Sequence, residues 1–388
     1  MNPAARYAAA IEILDKVLGG AAAEKVLTNW ARSNRYAGSG DRHAVRDIVF
    51  DALRCKRSYA SLGGADTGRG LVLGGLRRAG VAADAVFTGA GYAPPALSEA
   101  EAGAGAEPAG NAALDCPDWL EPALRASLGT DFAPVMRCLQ SRAPVYLRVN
   151  LRKTTPAKAI AALAAEGIET QPAPLADTAL EVVTNPRKVQ ASKAYLDGLV
   201  ELQDAASQAI VAALPLAADQ RVLDYCAGGG GKTLAMAGQA AARFYAHDIS
   251  SARMHDLPAR AKRAGVKVDL LGTPALAKAG PFDLVFADAP CSGSGSWRRA
   301  PEAKWALTPD RLAELCAIQA QIMDQASALV ATEGCFAYAT CSLLEAENAA
   351  QVAGFLARHP GWTLLSSRVL TPLDGGDGFY IAVLKRLR

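Results

Sequence analysis

The chain has 388 residues, enough for two or three domains of ordinary size, and 51% of them are apolar, enough for a sizeable core. Its 41 Lys and Arg nearly balance 38 Asp and Glu, so the formal charge of +3 neither demands nor excludes a nucleic-acid partner, and any basic surface must be local. The sequence contains no apolar run of about eighteen residues and opens on Met1-Asn2-Pro3-Ala4-Ala5-Arg6-Tyr7 without a basic-then-apolar leader, so no membrane span and a cytoplasmic location are expected.

Residues 3 to about 60 read as helices. Ala8, Ile11, Leu14, Val17 and Leu18 recur at the spacing of one helical face, and Val45, Ile48, Val49 and Leu53 form another after Asp41, a candidate cap. A third helix is expected over Gly70–Ala79. Residues 89–110 have loop composition, and helical signal resumes at Trp119–Leu128 and Phe132–Ser141. Near Pro144 the character changes. Residues 145–150 alternate like a strand, Thr155-Pro156 opens an amphipathic helix, and further strands are expected near 168–171 and 180–183. From about residue 201 strands (221–225, 243–247, 266–271, 283–287, 334–339 and 379–384) alternate with helices, the pattern of a doubly wound α/β sheet. The expected domains are therefore 1–140 helical, 141–200 small α+β, and 201–388 Rossmann-like.

The eight cysteines (55, 116, 138, 226, 291, 316, 335 and 341) show no CxxC pair and no zinc spacing, and the four histidines have no ligand pattern, so no metal is expected. Most of the cysteines read as small buried hydrophobes. Two do not. Cys291, in Asp288-Ala289-Pro290-Cys291, and Cys341, in Tyr338-Ala339-Thr340-Cys341-Ser342, each follow an expected strand. Ligands collect at the carboxyl ends of strands in such sheets, and a thiol there is a candidate nucleophile.

Strand 221–225 runs into Cys226-Ala227-Gly228-Gly229-Gly230-Gly231-Lys232-Thr233. A phosphate-binding P-loop would need glycine at the position of Cys226, and a dinucleotide fingerprint would need one near Thr233, so a turn for a smaller nucleoside-like cofactor remains. Asp248, at the end of the next strand, could accept from ribose hydroxyls or merely cap the following helix.

The segments DAPCSGSGSWRRAPEAKW at 288–305, YATCSLLEAEN at 338–348 and DYCAGGGGKT at 224–233 resemble motifs IV, VI and the cofactor motif of the Sun/Fmu (RsmB-type) RNA cytosine-carbon-5 methyltransferases. GLVELQDAASQ at 198–208, APVYLRVNLRK at 143–153 and DGFYIAVLKR at 377–386 match the same family, and the N-terminal helices, with Gly40-Asp41-Arg42 and Leu53-Arg54, resemble its NusB-like RNA-binding domain. The resemblance covers nearly the whole chain. It implies a class I methyltransferase sheet behind a small RRM-like module and an all-helical domain, S-adenosylmethionine as cofactor and RNA as substrate, ribosomal RNA before transfer RNA.

The resemblance also assigns roles. Cys341 would add to carbon 6 of cytosine, Cys291 would assist proton removal and release, and Asp288 would bind the base. Cys226, Ala227, Gly228, Gly229, Gly230, Gly231, Lys232, Asp248 and Asp288 form the implied cofactor set. Arg298, Arg299 and Lys304 could neutralise RNA phosphates, Arg148 could reach RNA from its strand, and Trp297 could pack or stack on a base. The chain departs from the family at Gly229, where proline is usual, and after the third strand, where no acid is placed for adenine and Asp269 lies early. A monomer is the default expectation. Two rivals from other classes are a non-catalytic RNA-binding or assembly factor that keeps the fold, and a thiol redox enzyme built on Cys291 and Cys341.

Overall fold

The computed structural model describes residues 1–388. They form two compact units, Met1–Arg142 with Trp297–Ala306, and Ala143–Ser296 with Leu307–Arg388.

The first unit is helical, with helices Pro3–Leu18, Ala23–Ser33, Ser39–Arg54, Lys56–Gly63 and Gly68–Arg78 leading, followed by shorter ones to Leu139. Asn2 caps the first helix by accepting from the Ala4 amide at 3.1 Å, with Pro3 preset for the first turn. Ile13, Leu14, Val45, Val49, Leu53, Leu71 and Leu73 close the core. The third helix begins at Ser39, two residues before the expected cap. Asp41 instead reaches back from its first turn to the Gly38 amide at 3.1 Å.

The segment Trp297–Ala306 is part of this helical unit, and it corrects the phosphate-contact reading of two of its cations. Lys304 is 1% exposed and donates to the Arg54 carbonyl at 3.2 Å, and the Trp305 indole N–H donates to the Leu53 carbonyl at 2.7 Å. Both carbonyls lie at the end of helix Ser39–Arg54, where backbone acceptors lack intrahelical donors and a cation is favoured. Glu302 accepts from the Ala23 amide at 2.7 Å, at the start of a helix with no side-chain cap of its own. Arg298 is 4% exposed, and its carbonyl accepts from Arg54 Nε at 2.7 Å. Trp297 is packed away at 1% exposure, whereas Arg299 stays exposed.

The second unit holds two sheets. Strands β1 (Tyr146–Val149), β2 (Thr170–Pro172), β3 (Ala179–Val182) and β4 (Val200–Leu202) form an antiparallel sheet in the order β2-β3-β1-β4, covered by helix Pro156–Ala165. Arg148 on β1 is 7% exposed, and its guanidinium donates to Gln203 Oε1 at 2.7 Å and to the Gly231 carbonyl at 2.8 Å. It is an internal brace, which corrects its reading as an RNA contact.

Strands β5 (Arg221–Asp224), β6 (Arg243–Ala246), β7 (Val268–Leu270), β8 (Phe282–Asp288), β9 (Val330–Thr340), β10 (Trp362–Leu370) and β11 (Phe379–Arg386) form the large sheet, ordered β10-β11-β9-β8-β5-β6-β7. The β7-β6-β5-β8-β9 stretch is parallel, and β11 and β10 join antiparallel. Alternate residues feed two cores. Val222, Leu284, Phe286 and Ala337 pack with Ile210 and Met236 on one face; Leu223, Val285, Phe336 and Tyr338 pack with Met323 and Phe355 on the other. Both faces are covered, so the central strands read as continuous apolar runs.

Replacing Lys304 with alanine should empty a fully buried site and orphan the Arg54 carbonyl. A loss of about 2–3 kcal/mol in unfolding free energy of the full chain is expected. Denaturant unfolding of Lys304→Ala measures it, and unchanged stability would refute the internal role.

Candidate active site

Sequence order in the large sheet reverses between β5 and β8, and at such a switch point the carboxyl ends of the strands leave a crevice. The crevice here is a cleft of about 410 Å³. Of the residues singled out in the sequence, Cys226, Ala227, Gly228, Gly229, Gly231, Lys232, Asp288, Cys291 and Cys341 line it together. Gly230 and Asp248 do not. Five further lining residues, Gln203, Ser207, Asp224, Arg253 and Arg260, have no role assigned from the sequence.

After β5 the chain makes the glycine turn and enters helix Gly231–Gln239. Gly230 has φ +77°, and a β-carbon there would stand 2.1 Å from Leu257 Cδ1, so only glycine fits. The turn is tied down at its carbonyls. Arg260 donates to the Gly229 oxygen, while Arg148 and Gln203 donate to the Gly231 oxygen at 2.8 and 3.1 Å. Arg260 and Arg263 in turn meet Glu201 at 3.6 and 2.7 Å. This bracing stands where the family's proline would supply stiffness. Asp248 is 4% exposed, and its carboxylate accepts from the Gly228 and Ser250 amides, both at 3.0 Å, and pairs with Arg253 at 3.2 Å. Its observed work is to shape the turn. Asp269 is exposed on β7 beside Lys267, 3.7 Å away, outside the cleft lining.

Asp224, the last residue of β5, is 1% exposed. Its Oδ2 accepts from Thr233 Oγ1 at 2.6 Å, and its Oδ1 has no partner within the protein. Burial pushes its pKa up to about 7 against the pull of the Thr233 hydrogen bond. An aspartate that ends a strand carries no sequence signal for this; only its position behind the glycine turn could have suggested it.

Lys232 Nζ stands 2.6 Å from Asp288 Oδ2. Burial alone would lower this lysine's pKa, but the Asp288 carboxylate raises it, so the ammonium persists. Cys291 Sγ and Cys341 Sγ are 3.4 Å apart. The two thiols are driven in opposite directions. The hydrogen bond from Cys291 lowers the pKa of Cys341, helped by the Lys232 charge, while the same bond and then burial push Cys291 well up. The loops that carry them touch where only glycine is possible. Gly295 donates to the Cys341 carbonyl at 3.0 Å, and a β-carbon on Gly295 would lie 2.1 Å from the Gly378 oxygen.

Because the folded pKa of Asp224 lies above its ordinary value of 3.8, its carboxyl favours the folded state below that pH, and the benefit is lost as pH rises to about 7. Asp224→Asn should therefore melt close to the wild type at pH 3.5 and several degrees above it at pH 8, both without ligand. Thermal unfolding at the two pH values checks this, and a pH-independent offset would show that the carboxyl is ionised throughout.

The family described as 16S rRNA methyltransferase RsmB/F matches residues 211–385, and the ferredoxin-like domain of RsmF/B-like methyltransferases matches 116–190. Proteins named ribosomal RNA small subunit methyltransferase B are similar: the one from Photorhabdus laumondii is 30% identical over 286 residues and the one from Klebsiella pneumoniae (strain MGH 78578) 33% over 295. Each alignment covers 70% of this chain and 66% of the relative, so the chain spans just under two thirds of their length. Among solved structures, PH0851 superposes with TM-score 0.76 at 21% identity, covering 100% of this chain and 99% of its own. A methyltransferase homolog from Pyrococcus horikoshii superposes with TM-score 0.62 at 22% identity, covering 71% and 96%. These two show the shared fold. Together with the motifs gathered in the cleft, the comparisons place the chain in the RsmB/F family of S-adenosylmethionine-dependent methyltransferases.

Proposed function

We propose that the chain methylates carbon 5 of a cytosine in RNA, small-subunit ribosomal RNA first among candidates, through a covalent bond between Cys341 and carbon 6 of the base. The observation that carries this reading is the contact of two thiols at 3.4 Å beside the Lys232–Asp288 pair in one cleft. The residues fit the cofactor: the partnerless Asp224 oxygen suits an ammonium group, and the start of helix Gly231–Gln239 suits a carboxylate. The cleft has the size of small-molecule sites, which run from about 300 to 1,000 Å³. The cofactor supplies an electrophilic methyl group on a sulfonium.

Carbon 5 of cytosine is a poor nucleophile by itself. The Cys341 thiolate adds to carbon 6 and pushes electrons onto carbon 5, which can then take the methyl group. The carbon-5 proton must afterwards leave, and the bond to Cys341 breaks as the ring regains its double bond. Cys291, the thiol in the resting site, gives up its proton to solvent once Cys341 is bonded to the base; as a thiolate it then takes the carbon-5 proton while Cys341 departs as the thiolate, which restores the starting pair. Asp288, paired with Lys232, accepts from the exocyclic amine. A duplex hides this face of the base, so the target is a looped or flipped-out nucleotide. Of the four residues first read as RNA contacts, Arg299 keeps that role in the proposal.

The test is a denaturing gel of protein, RNA and S-adenosylmethionine, with 30S particles, naked ribosomal RNA and transfer RNA as separate arms. Cys291→Ala should accumulate an RNA-linked band that vanishes when Cys341 is also replaced. A redox enzyme would give no adduct and no methyl transfer in any arm, as would a pure assembly factor. A second expected outcome concerns the braced turn. Arg260→Met should weaken S-adenosylmethionine binding several-fold by calorimetry, and an unchanged Kd would mean the Gly229 carbonyl needs no anchor.

A further inference from the structure

One buried carboxylate, that of Glu347, lies outside the cleft lining. Glu347 is wholly buried and carries no ion pair with Lys, Arg or His, yet it gathers donors from three parts of the chain. Its Oε1 accepts from the Ser292 amide at 2.8 Å and from Gln319 Nε2 at 3.0 Å. Its Oε2 accepts the hydroxyls of Ser292 and Ser342, both at 2.5 Å. Ser292 and Ser342 are the residues immediately after Cys291 and Cys341. The Gln319 amide also donates to the Pro290 carbonyl at 3.0 Å, on the other side of Cys291. Around the carboxylate, Ser294 Oγ lies 3.1 Å from Ser342 Oγ and accepts from the Leu343 amide at 2.8 Å. Tyr338 OH donates to the Glu347 carbonyl at 2.7 Å, which fixes the residue on β9's own side.

An ionised group this deep is costly unless every lone pair is engaged, and charge-assisted bonds to it are about twice as strong as neutral ones. An apolar residue would fill the space at lower cost. What it could not do is grip two loops that come from different strands and neither of which is regular structure. We infer that Glu347 is a positioning residue that clamps the Cys291 loop to the Cys341 loop and so sets the separation of the two thiols. It touches neither thiol; it acts through the adjacent serines. Its negative charge also adds to the pressure keeping Cys291 protonated, after the bond to Cys341 and burial. The inference rests on the proposed reaction only for its catalytic consequence.

Thiol separation can be read without RNA or cofactor. The full-length protein is treated with oxidised glutathione, and the Cys291–Cys341 linked peptide is followed by mass spectrometry. Glu347→Ala should form the linked peptide at least tenfold more slowly than wild type. Glu347→Gln, which keeps one acceptor oxygen, should fall between them. If Glu347→Ala does not fold, Ser342→Ala removes one donor alone and should slow the reaction in the same direction. An unchanged or faster rate in a folded variant overturns the inference. On the catalytic side, kcat for methyl transfer should drop at least tenfold with KM for S-adenosylmethionine unchanged, because Glu347 makes no contact with the glycine turn. A matching rise in that KM would mean general loosening and would also overturn it. If wild type methylates no RNA, the proposed reaction fails, while the linked-peptide rates still decide the role of Glu347.

Discussion

Everything in the site depends on parallel pairing among β5, β8 and β9. Parallel neighbours must end on the same edge of a sheet, and the register sets Asp224 beside Phe286 and Asp288 beside Ala339. Strand β8 thus overshoots β5 by two residues, which carries Asp288 past the glycine turn to meet Lys232, and β9 delivers Cys341 next to the loop that follows Asp288. Groups far apart in sequence converge because the hydrogen-bond ladder allows no other direction. Helices on both faces keep that ladder dry, and the strand ends are left for chemistry.

The electrostatics of the cleft follow from unequal access to partners. Asp288 has an ammonium beside it; Asp224 has a hydroxyl on one oxygen and nothing on the other. Lys232 therefore keeps its charge beside Asp288, while burial holds Asp224 near its titration point. The same logic separates the thiols. Whichever sulfur accepts the shared hydrogen becomes the better nucleophile, and the bond from Cys291 lowers the Cys341 pKa against burial and the Asp288 charge, with Lys232 a smaller aid. Two identical side chains are driven to opposite pKa shifts chiefly by a single bond between them.

The large sheet was legible because its central strands are buried on both faces and announce themselves as apolar runs. The two cysteines were legible because they follow such runs. Strand β10 was missed: it lies at the sheet edge, and most of Trp362–Leu370 is exposed, so no burial pattern marks it. The three-residue β4 was too short to register. Arg148, Arg298 and Lys304 were misread for one shared reason. Charge on a loop or an alternating strand reads as surface, but whether a cation faces water or the interior is decided by tertiary contacts the sequence does not display. Asp224 and Glu347 escaped notice in the same way, since a carboxylate gains its meaning from what is packed around it.

The assignment of Trp297–Ala306 to the helical unit has a bearing on how this protein can be divided or inherited. The helical unit is not a contiguous cassette, because its last piece is supplied from the middle of the catalytic unit's sequence. A fragment starting at residue 143 would carry Glu302, Lys304 and Trp305 stripped of the helix ends they cap, and a fragment ending at residue 142 would lack the caps. Exchange or loss of residues 1–142 would leave this inserted stretch without the helix ends it meets unless the stretch changes as well. The two are bound to change together, through a ten-residue stretch that begins six positions after Cys291.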